Sequence, residues 1–324
     1  AMGGEAYLGG VVGMFTLAAF LARFISGRIA DRAGRRKVML VGSAVTAVAG
    51  FGYLVASTIA TFMLLRFFHG LSTGFRPPGT SAMLADRIPK QRRGEALGYL
   101  GVAGNAGMAT GPALGSWLTV EWGIEWMFVA SALLGMASVV LTVPLEETLP
   151  EARPVNRSDF NLFKGGLIDP NAWPAAFVLL PVALAFGIYL TITPDFVGHL
   201  GYVYKGSFNT IIVASSIAMR FIAGKMSDRH GRIPVLFVGT ILMTVGMVTL
   251  GSAESKTMAT LGALIYGASI GINMPTVFAW TTDLAQPGKI ALALGTMLMA
   301  LEVGIGAGAL YSGVRFQGMV ERIP

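Results

Sequence analysis

The stretch Gly27-Arg28-Ile29-Ala30-Asp31-Arg32-Ala33-Gly34-Arg35-Arg36-Lys37 returns later in the chain as Gly224-Lys225-Met226-Ser227-Asp228-Arg229-His230-Gly231-Arg232. The two copies stand 197 residues apart, and that one offset extends outward without a gap. Arg23 falls on Arg220, Gly42 on Gly239, Gly70 on Gly267, Gly74 on Gly271, Pro78 on Pro275 and Asp86 on Asp283. Gly98, Gly107 and Gly111 fall on Gly295, Gly304 and Gly308. Chance matches among 43 glycines would scatter over many offsets. A single register holding Gly, Pro, Arg and Asp together therefore marks an internal duplication.

The repeated stretches separate apolar runs of about 20 to 25 residues, long enough to cross a hydrocarbon layer of about 30 Å as helices. Of the 324 residues, 54% are hydrophobic and 13% charged, against about 25% charged in soluble domains. Such a chain cannot cover a water-facing surface, which excludes a soluble two-domain enzyme. Ten membrane segments follow: Ala6–Ala30, Val38–Ser57, Ala60–Ala85, Gly94–Val120, Trp122–Val143, Ala172–Val197, Ser207–Met226, Pro234–Ser252, Thr257–Leu284 and Lys289–Ser312. The expected organisation is a helix bundle over 1–143, a polar cytoplasmic linker over 144–171 and a second bundle over 172–324. Shifted by 197, the segment from Ala172 falls before residue 1 and that from Trp122 runs past Pro324. The register thus predicts a twelve-helix, all-α transmembrane protein of which ten helices are present.

With no cysteine and only His69, His199 and His230 as histidines, no metal site is expected. Sixteen of the 24 Lys and Arg fall on the side that carries the linker, and only Lys205, Lys256, Arg315 and Arg322 on the other. That bias places the linker in the cytoplasm. The net charge of +7 then reflects topology and contact with anionic lipid, not nucleic-acid binding.

The duplicated stretch resembles the loop signature of the major facilitator superfamily, G-x-x-x-D-R-x-G-R-R, at its place in both halves. The resemblance implies two pseudo-symmetric six-helix bundles that work by alternating access. It also implies that Gly27, Asp31, Arg32, Gly34 and Arg35, with Gly224, Asp228, Arg229, Gly231 and Arg232, govern the conformational switch without binding substrate. Physically, Gly27 lets a helix approach closely, Gly34 permits a tight turn, and Asp31 is a carboxylate at a helix end among cations. Asp86 and Asp283 end their helices at that face, where an anion is disfavoured, so pairing with the basic loops is expected of these gate residues. Gly98, Gly107, Gly111, Pro112 and Gly115 resemble the antiporter motif of the superfamily's drug:proton antiporters, with Ser116 in place of its last Gly. Glycines four apart form a flat stripe for helix packing, and Pro112 removes a backbone hydrogen bond. Ordinary small-residue packing explains the same residues without any implication for direction.

Polar side chains inside the membrane are expensive and mark function. Arg66, with Gly70 and Gly74, resembles the family's R-x3-G-x3-G motif, whose Arg is tied to proton transfer; the alternative is an Arg that snorkels to the headgroups. His69, Ser72, Thr73 and Arg76 share a face that would turn a polar stripe into a cavity. An imidazole suits proton coupling, with an ordinary pKa near about 6.5, although a lone His also serves as a helix-to-helix hydrogen bond. Glu302 interrupts the apolar run 297–303 and is the sharper candidate for loading and releasing a proton, the alternative being a neutral structural Glu. Asn105 holds its place in the first half. Tyr189 and Trp280 line a cavity for apolar cargo or belong to packing and interfacial belts, and Asp195 lies near a helix end.

The reading that follows is a proton-coupled exporter of a small amphipathic or drug-like molecule, monomeric, in the bacterial cytoplasmic (inner) membrane. The proton gradient, not a cofactor, would supply the energy. A symporter or uniporter for sugars or organic anions, anchored by Arg66 and Arg76, is the second transport reading. A non-transporting sensor or scaffold comes from another class. No nucleophile with a base appears, so an enzyme is not expected.

Overall fold

The computed structural model describes residues 7–89, 93–154, 168–285 and 290–320. Ten α-helices occupy them: α1 (Leu8–Ala33), α2 (Arg35–Val55), α3 (Ile59–Arg87), α4 (Arg93–Trp122), α5 (Ile124–Thr142), α6 (Trp173–His199), α7 (Ser207–His230), α8 (Arg232–Gly251), α9 (Lys256–Leu284) and α10 (Ile290–Val320). Each coincides with one expected membrane segment. The main difference lies at the signature stretches: Asp31 and Arg32 are the last turn of α1, and Asp228 and Arg229 that of α7. The turn itself is a single residue, because Gly34 and Gly231 adopt φ of +118° and +87°, a region open to Gly at no steric cost. The starts of α3 and α9 are fixed alike. Thr58 accepts from the Thr61 amide at 3.2 Å and Ser255 from the Met258 amide at 3.3 Å, and these caps stand 197 apart.

Eight of the helices are long and apolar enough to cross a membrane. The other two, α3 with 29 residues and α4 with 30, are long enough but diluted, α3 by Arg66, His69 and Arg76 and α4 by glycine. Each of these two helices carries six of the candidate residues.

The chain forms two compact units: Ala1–Gly101, Ile124–Leu167 and Ala309–Pro324 make the first, and Val102–Gly123 with Ile168–Gly308 the second. Helices α4 and α10 are therefore each divided between the units. In the first, α3 packs on α1 and α2, and α5 on α2; in the second, α9 packs on α7 and α8, with α6 alongside. Close approach needs glycine at matched points. A Cβ on Gly70 would collide with the Phe15 carbonyl oxygen, and one on Gly267 with that of Ile212. Phe15 and Ile212 are again 197 apart, so the repeat in sequence is a repeat of contacts. The core of the second unit gathers Leu179, Val197, Phe208, Tyr266, Val277 and Met297, all fully buried.

Candidate functional site

At the ends of α1 and α7 the predicted gate residues assemble into twin clusters. In the first unit the Arg35 guanidinium lies 3.0 Å from Asp31 and 3.2 Å from Asp86, and also donates to the Ala30 carbonyl at 2.7 Å. In the second, Arg232 lies 2.6 Å from Asp228 and 2.8 Å from Asp283, and donates to Ser227 Oγ at 2.8 Å. Asp31 and Asp228 are about three-quarters exposed. Exposed pairs add little stability, about 0–1 kcal/mol each, so these clusters are better suited to being remade than to holding the fold. Arg229 is exposed, and the Arg32 carbonyl accepts from the Arg153 amide at 2.7 Å. Gly224 makes no close approach: a Cβ there would have nothing within 4 Å, and α7 packs through Ile212 and Ser216 instead. Gly27 lies in α1, but its surroundings fall outside the described residues.

The start of the linker folds onto the first cluster, which sequence reasoning missed. Glu147 accepts from the backbone amides of Arg35 at 2.9 Å and Arg36 at 3.1 Å. It thereby caps the N-terminus of α2, where open amides and the helix dipole favour an anion. Thr148 donates to Asp86 at 2.8 Å, and Arg36 donates to the Val143 carbonyl. The signal was an acidic pair after Pro144, present but indistinguishable from any solvated linker. Glu147→Ala is expected to remove about 1 kcal/mol, lowering the Tm in detergent by about 2 °C. Differential scanning fluorimetry showing no shift would remove the cap from the account. The linker residues 155–167 lie outside the described residues.

The expected polar stripe of α3 divides. Arg66 and His69 come together around α1 and α2: the guanidinium sits 4.8 Å from the Phe15 ring centre and reaches the Val11 carbonyl, while His69 Nδ1 is 3.1 Å from the Tyr53 hydroxyl. Phe15 also stands edge-on to His69 at 5.5 Å, and Phe62 and Phe128 extend the aromatic group. Ser72 instead is buried, and Thr73 donates back to the Gly70 carbonyl at 2.9 Å. Arg76 is exposed, its stem packed over Gly42. The division follows from the tight α1–α3 seam at Gly70 and Gly74, which draws the adjoining small polar residues into packing.

Glu302 is 7% exposed within α10, a carboxyl taken almost wholly out of solvent. Beyond it, Gly304 and Gly308 meet the α6 backbone at Leu180 and Leu184. Asn105, its counterpart, is half-buried in α4. Tyr189 is 5% exposed, packs on Tyr266 and donates to Asn209 Oδ1 at 2.9 Å. Trp280 packs against the core of the second unit. Asp195 faces Lys205 at 3.9 Å. In the 200–206 loop the Tyr204 hydroxyl donates to Glu121 at 2.7 Å, and this hydrogen bond, with the carboxylate charge, holds the phenol above its ordinary range. The contact thus persists at neutral pH and is lost only as pH rises through that raised value.

The glycine stripe of α4 behaves differently from the expectation. A Cβ on Gly107 or Gly111 would have nothing within 4 Å, and the surroundings of Gly98 lie outside the described residues. Gly115 is half-buried. The face that packs is the next one round the helix, where Pro112 and Ser116 meet Gly206. There Asn209 Nδ2 donates to the Met108 carbonyl at 2.7 Å and Thr210 to that of Ala109 at 2.8 Å.

Comparison with known proteins places this geometry. The family model described as Major Facilitator Superfamily matches residues 3–309. The Multi-drug resistance efflux pump PmrA of Streptococcus pneumoniae is 26% identical over 296 residues, 88% of this chain and 73% of that protein. The Multidrug resistance protein MdtG of Klebsiella pneumoniae is 30% identical over 261 residues, 78% of this chain and 63% of that protein. Among solved structures, the inward open xylose transporter XylE from E. coli superposes with a TM-score of 0.74 at 14% identity, covering 99% of this chain and 87% of that one.

Proposed function

The chain belongs to the Major Facilitator Superfamily, and we propose that within it this transporter exports a small amphipathic molecule in exchange for protons. It is a multi-span membrane protein and a transporter rather than an enzyme. The observation that carries the proposal is Glu302, a carboxyl 7% exposed inside an apolar membrane helix, a setting in which an ionisable group is retained for transport chemistry. Arg66 and His69, gathered around Phe15 and Tyr53, are the supporting pair in the first unit. The relatives named for multidrug efflux support export and an amphipathic cargo. Asn105 and Trp280 serve the cargo path, Tyr189 being taken up by core packing, and the Arg35 and Arg232 clusters serve the cytoplasmic gate. The protein acts as a monomer in the bacterial inner membrane, driven by the proton gradient without a cofactor.

A second reading is favoured by a specific observation. Arg66 and Arg76 are both cations of α3, and Arg76 is exposed, which suits an organic anion carried together with a proton. Purified protein in liposomes with an imposed pH gradient separates the two. With a small amphipathic dye as the probe, dye leaving against entering protons is the expected result; dye and protons moving together would replace export by symport.

A further inference from the structure

The register of 197 generates two equivalent helix crossings, and among the described residues only one of them is wired with side-chain hydrogen bonds. In the second unit α7 crosses α4 where Gly206 meets the Pro112 carbonyl; in the first, α1 crosses α10 where Gly9 meets the Ala309 carbonyl. Gly206 is the counterpart of Gly9, and Pro112 of Ala309. Both crossings need glycine because two backbones touch. They differ in the residues beside it. Pro112 has no N–H, so the Met108 carbonyl four residues back loses its helical donor and is pushed outward. Asn209 Nδ2 donates to that same carbonyl at 2.7 Å, and Thr210 Oγ1 to the neighbouring Ala109 carbonyl at 2.8 Å. At the other crossing the proline is Ala309, which keeps its N–H, and the donors are replaced by Val12 and Gly13. Donors stand only where a carbonyl has been freed. The Asn209 amide is also oriented, because Tyr189 donates to its Oδ1 at 2.9 Å and so turns Nδ2 toward α4.

We propose that Gly206, Asn209 and Thr210 form a clasp that reads the carbonyls opened by Pro112 and sets how far the Trp122 end of α4 stands from α7 during the transport cycle. At membrane depth a main-chain carbonyl deprived of its donor is costly until water reaches it. Parting of the two helices is therefore tied to hydration of this crossing, whereas the α1–α10 crossing carries no such condition. The inference rests on the reading of the chain as a transporter whose cytoplasmic gate opens and closes, and not on the direction of transport or on proton coupling.

The chain has no cysteine, so Val120→Cys with Val203→Cys, both at exposed positions, gives one clean pair of spin labels at this end of α4 and beside α7. Pulsed electron resonance in liposomes reads their distance distribution. Asn209→Leu, of nearly the same size but unable to donate, is expected to raise the separated population about tenfold, the worth of one such hydrogen bond. Thr210→Val does so several-fold less, since Ala109 retains the Ala113 N–H. In a Pro112→Ala background the helix supplies its own donor to Met108, and Asn209→Leu then adds nothing. An unchanged distribution in the Asn209→Leu protein, or an equal change with and without Pro112, overturns the clasp. Asn209→Ala repeats the comparison should the Leu variant fail to fold. Loss of proton-driven efflux in the liposome assay would instead remove the export reading and leave this result standing.

Discussion

With one pH unit imposed across a liposome membrane, the wild-type protein concentrates its cargo about tenfold for each proton exchanged, since one pH unit is worth 1.36 kcal/mol; Glu302→Gln brings that ratio to one. Glutamine keeps the size and hydrogen-bonding reach of the side chain but cannot load or release a proton. Glu302 is 7% exposed and lies in the span Ala293–Arg315, where an ionisable side chain is costly and marks transport chemistry. Downhill exchange of labelled against unlabelled cargo moves no net proton and is expected to survive in the variant. That split separates a coupling role from a structural one: a variant that merely misfolds loses both. A Glu302→Gln protein that still builds the tenfold gradient would take this carboxyl out of the proposed mechanism.

The fold was largely legible because duplication makes a sequence check itself. Paired residues such as Gly70 and Gly267, or Arg35 and Arg232, stand out from a glycine-rich background by recurring in one register, and each pair makes the same contact in its own unit. The same logic explains what escaped. Asn209 falls opposite Val12, and Thr210 opposite Gly13, so the register gives no reason to look at them, and their partners on α4 are 101 residues away. Glu147 sits in a linker without periodicity, where nothing local ties a carboxylate to the amides of a helix 112 residues earlier. The glycine stripe of α4 was legible as a stripe, but not which of two adjoining faces would be packed. Periodicity fixes the angle between faces and leaves open which one meets a neighbour; for α4 the Gly206 contact selected the face of Pro112 and Ser116.

The largest effect on the fold is expected from Gly70→Val. A Cβ at this point meets the Phe15 carbonyl oxygen and the Ala18 side chain together, and neither can retreat without moving α1 as a body. Overpacking of this kind costs about 1–3 kcal/mol and occasionally more, and here the displaced helix carries Phe15, which holds Arg66 at 4.8 Å and His69 at 5.5 Å. Backbone strain and loss of the Arg66–His69 arrangement therefore come from one substitution. The Tm in detergent is expected to fall by at least about 5 °C, with a loss of the monodisperse peak on size exclusion. Gly267→Val, which drives the same collision against the Ile212 carbonyl in the second unit, should match it closely. Gly251→Ala is the control: a Cβ there meets nothing within 4 Å, so the Tm should hold or rise slightly as the unfolded chain loses freedom. If Gly70→Val is tolerated while Gly267→Val is not, the two seams are unequal in energy although equal in geometry, and the pseudo-symmetry would be one of shape alone.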